Sequence, residues 1–388
     1  MATLVTLAEI RAAQRRLAGV AVRTGLYRVD PERLRAAGVG ELPFALYMKA
    51  ESEQPIGSFK LRGAYNRIAQ LSKEELGRGV ITYSSGNHAQ GVAYAARALG
   101  AKAVIVMPDN APEVKIAATR ALGAEVMLVG AGSKERRAKA EAMAEEFGYT
   151  IVPPYDDPAI IAGQGTCGLE IVEQMGLARE LAGVKTESER QRGASGSGES
   201  ASSGSFDYGA EAPPLRMTGS GAVILSPVSG GGLLSGIATA VKLAAPAAEI
   251  QVWGAEPELA ADAKESFGTK KLVEWTAAQT SRTISDGLRT QSVGVLNFAH
   301  ILRYVDGIVT VSEDEILSAM RIMLAATGFV AEPSGTVTLA AALFHHAELP
   351  NCEKMVAVLS GGNIDPDLRR EIEAGTPADA SAQACLGV

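Results

Sequence analysis

The sequence predicts an α/β protein with mainly parallel sheets and helices packed on their faces, because apolar runs of strand length alternate with amphipathic helical stretches. The helical stretches at 88–100 and 111–123 each end in a glycine suited to the position after a helix. The predicted buried strands are residues 44–49, 79–84, 103–108, 125–130, 222–227, 249–257, 307–312 and 354–362. Folds of this class bind ligands at the carboxyl ends of their strands, which is where we look for functional residues.

The composition excludes several classes of protein. With 388 residues the chain can form two or more domains, and 37 basic against 44 acidic residues give a net charge of −7. This charge argues against a nucleic-acid or anionic-membrane surface, because no basic excess exists to neutralise phosphates. No apolar run approaches the roughly 18 residues that suggest a membrane span. We therefore expect no nucleic-acid partner and no membrane association.

The N-terminal segment, the cysteines and one internal segment give separate predictions. The first 26 residues predict an amphipathic helix, not a secretory signal, so the cytoplasm is the expected location. Three scattered cysteines form neither a disulfide framework nor a metal motif. Residues 185–221 are rich in Ser, Gly and charge without apolar periodicity, which predicts a flexible surface insertion.

Three glycine-rich turns follow predicted strands: SSGNHAQG at 84–91, SGGGLLSG at 229–236 and LSGGN at 359–363. A glycine run that leads into a helix exposes backbone N–H groups at a positive helix end, which suits a phosphate. None of the three has the spacing of a dinucleotide fingerprint or of a P-loop. The pattern therefore disfavours NAD and ATP.

One lysine, Lys60 in GSFKLRGAYN (57–66), lies where a loop is predicted to become a helix. A lysine together with a phosphate-binding turn suggests pyridoxal phosphate, whose aldehyde forms a Schiff base with an amine. Phe59 could pack on the cofactor ring, and Asn87 could donate to its phenolic oxygen. Ser360 at the ring nitrogen would favour elimination over transamination, because a hydroxyl cannot hold a full pyridinium charge. Ser84 and Ser85 could bind a substrate carboxylate or move a proton, although such serines also occur as ordinary turn residues.

Five motifs, SFKLRGA, SSGNHAQG, AGQGT, SGGGLLSG and LSGGNID, occur in an order that resembles the fold type II pyridoxal-phosphate enzymes. The resemblance is to the branch of threonine/serine dehydratases, hydroxyaspartate dehydratases and serine racemases, and it covers roughly residues 17–370 apart from the insertion. It implies two open, twisted, mainly parallel sheets with the cofactor between two domains. The large cofactor-binding domain would be 1–68 with 157–388, and the small substrate-binding domain would be 69–156.

The resemblance also implies roles for individual residues. Lys60 would carry the Schiff base and act as the base on one face of the substrate, with Ser85 as the acid/base on the other. The other implied cofactor contacts are Phe59, Asn87, Ser229, Gly230, Gly231, Gly232, Leu233 and Ser360. The implied substrate contacts are Ser84, Ser85, Asn87 and His88.

A divalent cation is implied by the same resemblance, held by Glu256, the backbone carbonyl of Ala260, and Asp262. Two carboxylates and a carbonyl suit Mg²⁺ or Ca²⁺. Without the resemblance, the same residues would be an acidic surface loop. The expected role of the ion is structural, in the domain that carries the phosphate turn.

The sequence departs from the family at two places. Gly25 stands where relatives usually have Pro, and Pro153 stands where they often have His, in a region near the substrate side chain. The identity of the substrate therefore stays open. Arg136 or Arg137 could reach a distal carboxylate, or both could be solvated on a helix.

The expected activity is that of a pyridoxal-phosphate-dependent ammonia-lyase that converts L-threonine, L-serine or 3-hydroxyaspartate to a 2-oxo acid and ammonia. One alternative is a serine or aspartate racemase that uses Lys60 and Ser85. Another is a non-catalytic protein that holds the cofactor and senses amino acids. Only a short tail follows LSGGNID, so we do not expect feedback inhibition by isoleucine, and relatives suggest a homodimer.

Overall fold

A computed structural model describes residues 3–84, 86–111, 113–130, 133–176 and 221–375. Ser85 and the predicted insertion, apart from Gly221, lie outside the described residues. The strands within the described part are β1 Leu26–Arg28, β2 Ala45–Ala50, β3 Val80–Tyr83, β4 Ala103–Pro108, β5 Glu125–Val129, β6 Thr150–Ile151, β7 Ala222–Pro227, β8 Ile250–Pro257, β9 Gly307–Val311 and β10 Lys354–Leu359.

The helices of the described part lie between these strands, as the alternating pattern predicts. They are α1 Leu7–Leu17, α2 Pro31–Ala36, α3 Lys60–Ile68, α4 Lys73–Arg78, α5 Asn87–Ala98, α6 Glu113–Ala121, α7 Ser133–Phe147, α8 Pro158–Gln174, α9 Gly232–Ala244, α10 Asp262–Thr269, α11 Ala277–Thr280, α12 Val295–Tyr304, α13 Glu313–Thr327, α14 Pro333–Phe344 and α15 Pro366–Ala374. Short 3₁₀ turns occupy Glu51–Glu53, Glu258–Ala260, Asp286–Leu288 and His346–Glu348.

Two sheets organise the molecule, and both are mainly parallel, which confirms the predicted fold class. The six-stranded sheet has the order β1-β2-β10-β7-β8-β9, and the four-stranded sheet has the order β5-β4-β3-β6. Among the described strands, β1 is antiparallel to β2 and the other pairs are parallel. Strands β3 to β6 lie within the predicted small domain, whose boundaries stay a prediction.

One strand differs from its prediction. The sequence predicts a buried strand at residues 125–130, but β5 is half-exposed along its length. The reason is its position, because β5 is an edge strand of the four-stranded sheet and pairs with β4 alone. An apolar run cannot by itself show whether both faces of a strand are covered. The short strands β1 and β6 were not predicted.

Local sequence signals start several helices where the structure has them. Thr6 and Glu9 form a capping box on α1, so the predicted N-terminal amphipathic helix is confirmed. Ser312 and Glu315 do the same on α13. Each box satisfies backbone N–H groups that the first turn of a helix leaves unpaired.

Helices α8 and α9 pack against each other at very short range behind the six-stranded sheet. A Cβ atom on Gly236 in α9 would lie 2.5 Å from the backbone nitrogen of Gly165 and 2.6 Å from the carbonyl oxygen of Ile161, both in α8. Such distances are possible only where the side chain is absent. The AGQGT motif of the sequence is therefore a helix-packing motif in this structure.

No helix in the described ranges is long and apolar enough to cross a membrane.

Candidate active site

The predicted functional residues lie at the carboxyl ends of parallel strands. Lys60 is the first residue of α3 and follows β2 through a short turn. The turn is joined to the end of β10, because the Phe59 N–H donates to the Ser360 carbonyl at 3.1 Å and the Gly362 N–H donates to the Gly57 carbonyl at 2.9 Å. These bonds hold the SFKLRGA and LSGGN motifs side by side.

The Lys60 amine is partly shielded from solvent by its neighbours. Its Nζ donates to the Pro154 carbonyl at 2.9 Å and is 5.2 Å from the centroid of the Phe59 ring. Burial lowers the pKa of Lys60 to about 8, although the nearby Glu332 carboxyl raises it. The unprotonated amine, which is the nucleophilic form, is therefore more populated near neutral pH than in a solvated lysine.

The SGGGLLSG turn follows β7 and leads into α9. Gly231 has φ +91°, a backbone conformation that favours glycine, and no side chain caps the helix that begins at Gly232. The Gly230 carbonyl is held from behind by the Gly294 N–H at 3.0 Å and by the Asn297 amide at 2.7 Å. The N–H groups at the start of α9 therefore lie in a turn held in place from behind, an arrangement that suits an anion.

Asn87 and Ser360 lie beside Lys60, each with its side chain already engaged. Asn87 is the first residue of α5, after β3, and its Nδ2 donates to Glu332 Oε1 at 2.6 Å. Ser360 directly follows β10, is buried, and donates to the Ser334 carbonyl at 3.4 Å. Strands β2, β3, β7 and β10 thus bring the separate motifs to one place.

Of the predicted substrate contacts, Ser84 and His88 bond to nearby backbone groups, and Ser85 lies outside the described residues. Ser84 follows β3, and its Oγ accepts from the Gly86 N–H at 3.4 Å. His88 is buried and donates from Nε2 to the Val152 carbonyl at 3.0 Å, and burial, with a smaller effect of Lys60, lowers its pKa to about 3. His88 is therefore neutral and supports the 152–155 segment. Ser85 lies outside the described residues, so its role stays a prediction.

Comparison with known proteins decides the family. A family model described as "Pyridoxal-phosphate dependent enzyme" matches residues 30–186 and 207–361. The chain belongs to this family. Within it, the chain is 35% identical over 320 residues to an L-threo-3-hydroxyaspartate ammonia-lyase of Saccharomyces cerevisiae, covering 82% of this chain and 83% of that protein.

Two further pyridoxal-phosphate enzymes show the same similarity. A serine racemase of Schizosaccharomyces pombe is 35% identical, with 82% of this chain and 84% of the racemase covered. The crystal structure of a threonine deaminase from T.th. has a TM-score of 0.73 and 40% identity, covering 93% of this chain and 99% of that one. The predicted fold type II architecture is confirmed.

The residues present fit the family's cofactor. Lys60 supplies an amine of lowered pKa, the turn before α9 suits a phosphate, and Asn87 supplies an amide donor. These groups come from both sheets, since β3 precedes Asn87 while β2 and β7 precede the lysine and the turn. The cleft that they line therefore lies between the two sheets.

The predicted cation ligands also lie close together. Glu256 is near the end of β8, and Asp262 begins α10 after the short turn that ends at Ala260. Both carboxyls are buried, and Asp262 Oδ2 has no hydrogen-bond partner. Burial and the neighbouring Asp262 raise the pKa of Glu256, and burial raises the pKa of Asp262 to about 7. No group of three or more His, Cys, Asp or Glu side chains converges among the described residues, so a cation here would need backbone and water oxygens as well.

Sequence reasoning missed two side chains of the cleft. Tyr155 packs on the phosphate turn, because a Cβ on Gly230 would lie 2.3 Å from its ring. Glu332 lies beside Asn87, directly before the Pro that begins α14. In the sequence, Glu332 is marked only as an acidic residue before Pro333, a pattern that usually indicates the start of a helix and not a functional site. Tyr155 follows Pro153 and Pro154, a region marked in the sequence only because Pro153 stands where relatives often have His.

The two predicted carboxylate-binding arginines differ in their surroundings. Arg137 is exposed, and its Nε donates to Glu141 Oε1 at 2.7 Å on the same helix. Arg136 is half-buried, and burial lowers its pKa.

Proposed function

We propose that this chain is a pyridoxal-phosphate-dependent ammonia-lyase that converts a β-hydroxy amino acid to a 2-oxo acid and ammonia. The observation that carries the proposal is the Lys60 amine, partly buried and held 2.9 Å from the Pro154 carbonyl among the predicted cofactor contacts. Its similarity to proteins named as a hydroxyaspartate ammonia-lyase and a threonine deaminase supports the reaction class.

When bound, pyridoxal phosphate supplies an aldehyde that captures an amine and a ring that withdraws electrons from the α-carbon. Lys60 would hold that aldehyde and would act as the base for the substrate's α-proton, a role that suits an amine with a pKa of about 8. The turn Ser229–Leu233 binds the phosphate. Ser360 would offer a neutral hydroxyl to the ring nitrogen, Asn87 would donate to the phenolic oxygen, and Ser84 would bind the substrate carboxylate.

The first test is release of 2-oxo acid by the purified protein with L-serine, L-threonine and threo-3-hydroxyaspartate. We expect one of them to be turned over and Lys60→Ala to lower the rate by at least about 10³-fold, because the nucleophile and base are lost together. Lys73→Ala is the matched control, since Lys73 also begins a helix but is exposed. Full activity of Lys60→Ala, or no oxo acid from any substrate, would overturn the proposal.

Within the same function, we propose a divalent cation, Mg²⁺ or Ca²⁺, on Glu256, Asp262 and the Ala260 carbonyl. Two buried acids with an unpaired oxygen are unfavourable unless a positive charge compensates them. Thermal unfolding with either cation or with chelator tests this, and we expect the cation to raise Tm by several degrees. Asp262→Asn should abolish the response, whereas the exposed neighbour Glu258→Gln should keep it.

A serine or aspartate racemase is the second candidate, favoured by the similarity to a protein named serine racemase. It would use Lys60 on one face of the substrate and Ser85 on the other. Chiral analysis of the same reaction mixtures distinguishes the two activities, because racemisation gives the D-enantiomer without oxo acid. Binding with a spectral change but no product would indicate the non-catalytic sensor.

The homodimer, the cytoplasmic location and the domain boundaries stay predictions. Sedimentation of the holoenzyme tests the first of them.

A further inference from the structure

The Glu332 carboxyl is buried in the cleft and does not cap the helix that it precedes. Glu332 stands at the N-cap position of α14, yet its side chain makes no cap hydrogen bond. Glu332 is 5% exposed, and its Oε1 accepts from Asn87 Nδ2 at 2.6 Å. The carboxyl therefore serves the start of α5 and not its own helix.

The Asn87 amide is held on both of its polar atoms. Its Oδ1 accepts from Asn363 Nδ2 at 2.6 Å, and the Asn363 nitrogen also donates to the Ile56 carbonyl at 2.9 Å. Because the Asn363 nitrogen donates to both Ile56 and Asn87, the Asn87 atom that faces it is the oxygen and the atom that faces Glu332 is the nitrogen. One amide hydrogen is used by Glu332, and the second is left for another acceptor.

The carboxyl also fills space against the LSGGN turn. A Cβ atom on Gly361 would lie 2.3 Å from Glu332 Oε1, and the Glu332 N–H donates to the Gly361 carbonyl at 3.2 Å. Glu332 is thus fixed to the segment that carries Ser360. The bond to Asn87 consequently ties the end of β3 to the end of β10, across the two sheets.

The charged groups around Glu332 come from three elements. Burial and the Asp286 carboxylate raise the pKa of Glu332 to about 8, while the Asn87 amide and then Lys115 and Lys60 lower it. At neutral pH much of the carboxyl is protonated. A carboxyl oxygen can accept from Asn87 in either state, so the bond does not depend on ionisation.

We infer that Glu332 is a positioning residue for the cofactor, which orients the Asn87 amide so that an N–H group, and not the carbonyl, remains available to the phenolic oxygen of pyridoxal phosphate. The inference rests on the proposed function, which gives Asn87 that contact.

The test is the affinity of the cofactor-free protein for pyridoxal phosphate, measured by absorbance titration. Glu332→Met removes the acceptor with little change in length, and we expect affinity to fall about 5- to 30-fold, the usual effect of losing one buried hydrogen bond. Glu332→Gln keeps a carbonyl acceptor, so we expect it to recover most of that loss. Equal losses in both variants, or no loss in Glu332→Met, would overturn the inference.

A double-mutant cycle with Asn87→Ala separates positioning from a general structural effect. We expect Glu332→Met to add almost nothing in the Asn87→Ala background, because the group that it orients is gone. Additive losses would sink the inference. Unchanged affinity in Asn87→Ala would instead refute the placing of Asn87 on the cofactor.

Two further variants guard against misfolding. Thr336→Val disturbs the same helical turn, since Thr336 Oγ1 donates to the Glu332 carbonyl at 3.1 Å, but leaves the carboxyl in place. It should lower Tm without changing cofactor affinity. If Glu332→Met does not fold, Asn363→Leu removes the other partner of Asn87 and should weaken cofactor binding to a similar extent. Parental affinity in Asn363→Leu would then count against the inference.

Discussion

At the scale of single residues, the environment of Lys60 determines its chemistry. A lysine in water has a pKa near 10.5, and burial in the cleft lowers the pKa of Lys60 to about 8. The opposing effect of Glu332 is smaller, so the amine loses its proton more easily than a surface lysine does.

The rate at which the cofactor-free protein captures pyridoxal phosphate should therefore rise with pH, with a midpoint near 8. The sign follows from the neutral amine being the reactive form. Stopped-flow absorbance between pH 6 and about pH 10.5 measures the midpoint, and Lys73→Ala should not move it. A midpoint above about 10, typical of a solvated lysine, would contradict the prediction.

The sequence was informative about residues whose type and spacing carry chemistry, such as Lys60 and the glycines before α9. It was not informative about Glu332, because the position of an acid before proline does not show where the side chain turns. The burial of Lys60 could not be predicted either, since it depends on Pro154, which is distant in sequence.

At the scale of elements, a buried charge cluster fixes α3, the helix that begins with Lys60. Arg62 donates to Glu51 and Glu170, each at 2.7 Å, and Lys49 donates to Glu170 at 2.6 Å. Two positive and two negative groups balance in the interior. Burial alone would raise the pKa of Glu51, but Arg62 and Lys49 lower it to about 2.

Arg62→Met should destabilise the protein by about 3–5 kcal/mol, because it leaves two buried carboxylates without their partner. The folded pKa of Glu51 lies below its ordinary value of 4.5, so this stabilisation is fully present above pH 4.5 and is lost as pH falls toward 2. The difference between parent and variant in denaturant unfolding should therefore be largest at neutral pH and shrink in acid. Arg67→Met is the control, since Arg67 is on the same helix as Arg62 and pairs with Asp157, the N-cap of α8, but is partly exposed. Equal effects of the two substitutions would contradict the role of the cluster.

Element type was predictable because the periodicity of the helices and the apolar content of the strands agree with the fold. The solvent exposure of an element was not predictable, as the half-exposed edge strand β5 shows. Whether a strand lies at an edge depends on which partner pairs with it, and pairing is set by contacts between distant segments.

At the scale of the whole molecule, the two sheets are connected across the cleft by side chains as well as by the chain. Lys115 in α6 forms an ion pair with Asp286. The turn that carries Asp286 is joined to α14, because the Gly287 N–H donates to Ser334 Oγ at 2.9 Å. The pair therefore links α6, which packs with the four-stranded sheet, to the turn that contacts the start of α14, directly after Glu332.

Lys115→Met should raise KM about two- to fivefold and leave Tm almost unchanged, because a partly exposed pair contributes little to stability but favours one relative position of the sheets. Steady-state kinetics at low and high salt measure the effect, which should shrink as salt screens the pair in the parent. Lys102→Met is the matched control, since Lys102 and Glu125 form an exposed pair within one sheet. A similar rise in KM for both variants would show that the connection across the cleft is not responsible.

The glycine contact between α8 and α9 has a practical consequence for anyone who wishes to redesign this protein. Helix α9 presents the phosphate turn at one end and rests on the backbone of α8 along its side, at distances that only hydrogen atoms at Gly236 permit. Any larger residue there would displace the helix, and the turn at its start would move with it. Libraries aimed at new substrates should therefore keep AGQGT and SGGGLLSG constant and vary the side chain of Tyr155, without disturbing the Pro154 carbonyl that holds Lys60.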